Sequence, residues 1–304
     1  MRPDRTGVKP YTRRRRAEYF HRPRSKFVVY FHSPPSSEAK YGCVLPPATM
    51  GVAALESRFD LYPRVKGWDA LRDYDLEATT LWDFLAQSPG ATVFGDHRFN
   101  GVTPSPLVMN LVRRYTRPGD LVVDPMAGSG TTIDVARALG PRVLAFDLAP
   151  RRPDIVRNDA RHLPLPDESV DLHFVDPPYS DNVRYSDDPA CLGQLPCVED
   201  AFLESLEAVA RELHRTLKPR RVLGWLISDE YRRGRFTPVG FLTFEMLGKY
   251  FEPVDVIAVA RRHDRSGNPT WEHRARRYGF FLRGFKYLFI LRKPDPRIAE
   301  GVFE

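Results

Sequence analysis

The apolar run Leu172-His173-Phe174-Val175 ends abruptly in Asp176-Pro177-Pro178-Tyr179. A short continuous apolar run of this kind reads as a strand buried on both faces. Two successive prolines supply no ladder donor and cannot enter a helix interior, so the chain must stop rigidly at the strand's carboxyl end. What remains there is one carboxylate, carbonyls with no competing donor close in the chain, and a flat ring. Carboxyl ends of strands are where open α/β sheets bind ligands. An acid, free carbonyls and an aromatic plate suit a planar group that carries an amine. A Pro-rich surface turn would read the same way, so the surrounding chain has to decide.

On both sides of this run, strands alternate with helices. Thr103-Pro104 reads as a helix start, with a hydroxyl N-cap and proline at the first position. Leu107, Val108, Leu111, Val112 and Tyr115 form the apolar stripe of that helix. Leu121-Val122-Val123-Asp124 predicts a buried strand, and the small residues of Pro125–Thr132 lead into a helix that stops at Gly140-Pro141. Val143–Phe146 predicts a second strand ending at Asp147, residues 155–156 a weaker third ending near Asn158-Asp159-Ala160, and residues 172–175 the fourth. Farther on, Phe202–Leu217 and Phe241–Tyr250 have helical spacing, while Val222–Ser228, Val254–Ala260 and Tyr287–Leu291 read as strands. The alternation predicts an α/β domain with a parallel sheet covered by helices on both faces. That domain is expected over residues 79–304. Residues 1–78 are expected to form a small accessory region behind a basic arm that includes Arg13-Arg14-Arg15-Arg16, with one strand at Phe27–Phe31.

Charge narrows the class of partner. Lys and Arg number 46 against 39 Asp and Glu, giving +7 and an isoelectric point near 9.4. Most of the positive charge is Arg, whose planar fork pairs with phosphates and stacks on bases, so nucleic acid is the expected partner. Basic residues interleaved with aromatics gather late in the chain, at Arg261, Arg262, Arg265, Trp271, Arg274, Arg276 and Arg277, and again at Arg283-Gly284-Phe285-Lys286. This pattern suits phosphates plus exposed bases, and it marks residues 261–285 as a candidate recognition insertion. Cys43, Cys191 and Cys197 include no C-x-x-C pair and no His at ligand spacing, so no metal site is expected and the thiols read as reduced. No run is long enough to span a membrane, and Arg stands where a signal peptide needs apolar residues; a cytoplasmic, nucleoid-associated protein is expected.

The turn between Asp124 and Thr132 suits a nucleotide, because small residues let backbone N–H groups approach a ligand at a helix N-terminus. Gly128-x-Gly130 lacks the third glycine of a dinucleotide fingerprint, and no Gly-Lys-Ser/Thr follows. Asp147 lies 23 positions on, from 124 to 147, near the spacing of a carboxylate that holds ribose hydroxyls. A nicotinamide enzyme and an S-adenosylmethionine enzyme share that feature. Asp124, immediately before the turn, favours the second, since an acid there repels a pyrophosphate and attracts a cationic tail.

Together, Asp124-Pro125-Met126-Ala127-Gly128-Ser129-Gly130-Thr131-Thr132 and Asp176-Pro177-Pro178-Tyr179 resemble the cofactor and catalytic motifs of the DNA amino-methyltransferases, which methylate the exocyclic amine of adenine or cytosine. Gly101–Pro106 is similar to the segment which that family places against the methionine end of S-adenosyl-L-methionine, with Thr103 and Pro104 at its centre. The resemblance implies the methyltransferase form of the Rossmann-like fold, an α/β domain with a mixed, mostly parallel seven-stranded sheet and helices on both faces. It implies that Asp124, Pro125, Ala127 and the Gly128 and Gly130 backbone hold the methionine portion, and that Asp147 holds the ribose. Leu148 would cover an adenine face, and Asp159 and Ala160 would meet the adenine edge. Asp176 and the Pro177 carbonyl would accept the target amine's hydrogens, with Pro178 stiffening the turn and Tyr179 stacking on the base. The loop Ser180–Asp188, with Arg184 and Tyr185, would close over a base flipped out of DNA. No cysteine follows the proline, which excludes the related attack on a cytosine ring carbon. Adenine is favoured over cytosine because the motif opens with Asp rather than Ser. Structured RNA is the alternative substrate, and a non-catalytic nucleic-acid-binding protein the alternative class; a restriction–modification setting is compatible with the resemblance.

Overall fold

The computed structural model describes residues 71, 73–89, 93–261 and 268–295, which all fall within one compact unit, 43–304. The basic arm, the expected strand at 27–31, and Arg262 and Arg265 lie outside the described residues. The strands are β1 (Leu81–Trp82), β2 (Leu121–Asp124), β3 (Arg142–Asp147), β4 (Val156–Arg157), β5 (Val170–Val175), β6 (Leu217–Ile227), β7 (Glu230–Arg232), β8 (Arg235–Thr237), β9 (Glu252–Ala260) and β10 (Phe285–Arg292). The helices are α1 (Ser105–Tyr115), α2 (Thr131–Leu139), α3 (Asp200–Thr216), α4 (Val239–Leu247) and α5 (Pro269–Tyr278).

Among the described residues, eight strands form one sheet in the order β1-β9-β10-β6-β5-β2-β3-β4. Five neighbouring pairs are parallel, and β10 runs antiparallel to both β6 and β9. The expectation of seven strands is therefore corrected to eight. The extra one is β1, two residues at the sheet edge that pair Leu81 with Ala258 and Trp82 with Val259. Trp82 is buried, and its indole N–H donates to the Thr79 carbonyl at 2.8 Å, which ties down an otherwise irregular stretch.

The central strands are buried on both faces because their residues alternate between two cores. Val123, Phe146, Val175 and Trp225 pack with Phe202, Leu206 and Leu213 of α3 and with Met246 and Leu247 of α4. Val122, Phe174 and Leu226 turn the other way onto Leu107, Val108, Leu111 and Val112 of α1. This is why runs such as Val122-Val123 and Phe174-Val175 are continuously apolar. His173 fits the same run as a neutral ring. It is fully buried, burial pushes its pKa down to about 3, and Nε2 lies 2.8 Å from the Thr216 hydroxyl.

The expected helix at Thr103-Pro104 starts later. Pro104 is the N-cap of α1, and no side chain caps it. Thr103 has been drawn elsewhere.

Candidate active site

The chain runs from β2 outward to β3 and β4, then returns to place β5 on the other side of β2. The order reverses between β2 and β5, so a crevice opens at their carboxyl ends, where doubly wound sheets bind ligands. Asp124 ends β2 and Asp176 directly follows β5. Both line a cavity of about 690 Å³.

On the β2 side, Asp124 is buried. Its Oδ1 accepts from the Met126 N–H at 3.0 Å and its Oδ2 from the Thr132 hydroxyl at 2.6 Å. Burial pushes its pKa up to about 7 against those lowering contacts, with Asp147 and Asp176 adding repulsion. Pro125, Ala127, Gly128, Asp147, Leu148, Asp159 and Ala160 share the cavity wall. Gly128 has φ of +44°, and a side chain there would meet Phe99 at 2.8 Å; only glycine lets that ring pack on the turn. The Gly128 N–H donates to Asp147 Oδ2 at 2.9 Å, and Asp147 Oδ1 accepts from Ala149 N at 2.9 Å. Asp159 is clamped by Arg161, whose Nη2 lies 2.6 Å from Oδ2. Burial raises the Asp159 pKa, but the Arg161 bonds outweigh it and the net shift is downward.

On the β5 side, Asp176 is held from three directions. The Tyr179 hydroxyl donates to Oδ1 at 2.6 Å, the Thr103 hydroxyl donates to Oδ2 at 2.9 Å, and the Lys286 ammonium lies 3.5 Å from Oδ2. Burial and then the charge of Asp176 push the Tyr179 pKa well above its ordinary value, so its phenol stays a neutral donor. Lys286 also sits over the Tyr179 ring, 5.0 Å from its centroid.

Several sequence expectations land elsewhere. Thr103 lines the cavity but bonds the Asp176 carboxylate rather than capping α1, because the helix begins one residue later and takes Pro104 as its N-cap. Pro104, Gly130 and Pro177 are not on the cavity wall. Gly130 (φ +80°) is covered by Arg152, which would lie 2.6 Å from any side chain there. Arg152 reaches across to Asp134 and Asp154 at 2.9 and 2.7 Å and so fixes the turn from behind. Tyr185, Arg261 and Trp271 line the cavity, and Tyr185 stacks on Phe99 at 5.9 Å. Arg184 is exposed and pairs with Asp187; Arg274 lies over Trp271, Arg276 pairs with Glu272 and Arg277 lies over Tyr278, all off the cavity wall. Phe99 and the contact between Lys286 and Asp176 were not foreseen, because nothing local links positions 286 and 176.

No group of three or more His, Cys, Asp or Glu among the described residues is placed to hold a metal ion. Cys191 and Cys197 are buried and unbridged, and Cys197 donates to Glu230 Oε2 at 3.0 Å. No helix among the described residues is long and apolar enough to cross a membrane.

The acid-lined turn and the Asp-Pro-Pro-Tyr strand end share one cavity, and part of the chain is similar to known methylases. Residues 58–158 match the N6/N4 DNA methylase family. The matched methylase segment contains the turn at 124–132 and ends before Asp176. S-adenosyl-L-methionine is the cofactor of the methylase family. The type II methyltransferase M.MjaII of Methanocaldococcus jannaschii is 27% identical over 90 residues, which are 29% of this chain and 17% of that protein. The chain thus spans under a fifth of the length of that relative. Among solved structures, TrmN from Thermus thermophilus is similar at 22% identity and a TM-score of 0.42, covering 64% of this chain and 50% of that one. A 1,6-didemethyltoxoflavin-N1-methyltransferase from Burkholderia thailandensis follows at 18% identity and a TM-score of 0.42, covering 62% of this chain and 77% of that one.

Proposed function

We propose that the chain transfers a methyl group from S-adenosyl-L-methionine to the exocyclic amine of a base in DNA, adenine favoured over cytosine, with the base turned out of its stack. The observation that carries this reading is the pair Asp124 and Asp176, set at the ends of hydrogen-bonded neighbours β2 and β5 and opening on one cavity. When bound, the cofactor supplies an electrophilic sulfonium methyl. The residues present fit it. Asp124 is a buried carboxylate whose charge is penalised until a cation arrives, which suits an amino-acid ammonium and disfavours a pyrophosphate. Asp147 offers oxygens at ribose spacing, and Leu148 an apolar face, on the same wall.

Asp176 is the acceptor for the target amine. An exocyclic amine is a poor nucleophile because its lone pair is delocalised into the ring. Accepting its hydrogens favours a pyramidal nitrogen and stabilises the positive charge that develops as it attacks. Thr103, Tyr179 and Lys286 hold the carboxylate in one orientation and leave acceptor capacity on Oδ1, which takes only the Tyr179 hydroxyl. Placing that acceptor beside the cofactor half of the cavity supplies proximity. The Pro177 carbonyl is assigned as the second acceptor on the resemblance alone. The test is uptake of labelled methyl from the cofactor into DNA and into RNA by the purified protein. Label in DNA, blocked by pre-methylated substrate, is expected; label in RNA alone would replace DNA as the substrate.

A further inference from the structure

Beside the cavity, two segments meet that the catalytic reading leaves without a role. One is the hairpin β7–β8. Its turn, Arg233-Gly234, has φ of +51° and +79°, so an arginine occupies a left-handed position that asparagine would fill at less backbone cost. Arg232, Arg233 and Arg235 are all exposed. The other is the stretch 278–284 that leads into β10. The two are locked together by ring contacts. Phe280 stacks on Tyr231 with centroids 5.7 Å apart and planes within 11°. The Arg283 guanidinium lies 5.9 Å from the Tyr231 ring and 5.2 Å from the Phe236 ring, and its Nε is buried without a hydrogen bond.

One ring on this rim remains open: Phe281 is 82% exposed, while Tyr278, 66% exposed, carries the Arg277 guanidinium over its ring. Tyr231, Arg232, Phe280, Phe281 and Arg283 all line the cavity, so the rim is continuous with the place where a target base would enter. Positive charge beside an unstacked ring is what a nucleic-acid strand with exposed bases requires. A duplex presents phosphates to such a strip but keeps its base faces covered.

We infer that the rim formed by β7–β8 and residues 278–284 binds the unpaired nucleotides that flank the target base, so that single-stranded DNA is the preferred substrate form. This rests on the reading of the cavity as a DNA methylation site. Phe281 supplies a stacking face, and Arg233 and Arg235 meet the phosphates beside it.

Fluorescence anisotropy with a labelled DNA oligomer, alone or annealed to its complement, and with the RNA of the same sequence, tests the inference without requiring turnover. The single strand is expected to bind at least about tenfold tighter than the duplex. Phe281→Ala should weaken single-strand binding about five- to twentyfold, and Phe281→Trp should restore it, as loss of one base stack predicts. Arg233→Asn keeps a residue suited to the turn, and should lower the slope of log affinity against log salt by about 0.7. Duplex binding equal to or tighter than single-strand binding would overturn the inference, as would an unaffected Phe281→Ala. Tighter binding of the RNA would overturn the assignment to DNA. If the rim behaves as expected but no nucleic acid is methylated, the proposed function fails and the binding surface stands.

Discussion

Asp176 gathers the residue-scale predictions, because every group around it has a definite job. Asp176→Asn should lower methyl transfer by at least about 10²–10³-fold, the scale of losing one positioned group that stabilises transition-state charge. Cofactor affinity should stay within about threefold, since the cofactor half of the wall is untouched; a variant that also loses the cofactor would place Asp176 in binding instead. Thr103 separates two readings of one hydroxyl. A helix cap lost to valine would cost about 1 kcal/mol. Here the hydroxyl bonds Asp176, and α1 has no side-chain cap, so Thr103→Val should leave the melting temperature nearly unchanged while slowing turnover several-fold. Asp124 predicts a pH dependence. Burial raises its pKa to about 7, so below that value the cofactor's ammonium meets a neutral acid and above it a carboxylate. Cofactor affinity should rise about tenfold from pH 6 to pH 8 and then level, as the ionised fraction does. Asp124→Asn should bind more weakly at pH 8 with a flat profile in calorimetry.

At the scale of elements, one buried carboxylate joins three strands of the sheet. Asp171, 1% exposed on β5, accepts from the Leu121 N–H of β2 at 2.9 Å and pairs with Lys218 of β6 at 2.8 Å and Arg221 of β6 at 3.0 Å. Asp171→Ala strands a buried N–H and should cost about 1–3 kcal/mol in chemical denaturation. Lys218 and Arg221 are partly exposed and can turn to water, which keeps the loss at that level. The elements that carry the site were legible in the sequence because central parallel strands are unbroken apolar runs, and 121–124, 143–146 and 172–175 each end in an acid or next to one. Edges were not. β1 is two residues long, too short for any period, and is held by pairing with residues 258–259 far along the chain. The β7–β8 hairpin hid behind an Arg-Gly turn in place of the usual Asn-Gly, with Tyr231 and Phe236 facing out. Thr103 and Lys286 were misplaced or unplaced for one reason: their partner Asp176 is 73 and 110 positions away. Local pattern shows which residues begin and end an element, and says little about which distant side chain a carboxylate will draw in.

The whole molecule sets opposite charges against each other. The chain carries +7, yet the wall around the switch point holds Asp124, Asp147, Asp159 and Asp176. The net positive charge of the full sequence suits a polyanion, and the acids on the cavity wall suit a cationic cofactor. Binding of DNA should accordingly weaken steeply as salt rises, while cofactor binding should change much less; equal salt slopes would contradict that division. The sheet supplies the common frame, since its order reverses where the two acids stand. The central claim is that these acids bring a sulfonium methyl and a base amine together. It is tested most directly by incubating the protein and S-adenosyl-L-methionine with unmethylated genomic DNA, digesting the DNA, and identifying the nucleosides by mass spectrometry. A methyl on an exocyclic nitrogen is expected, N6-methyladenine ahead of N4-methylcytosine, and none with Asp176→Asn. A methyl on a ring carbon, or one that survives the loss of Asp176, would contradict it.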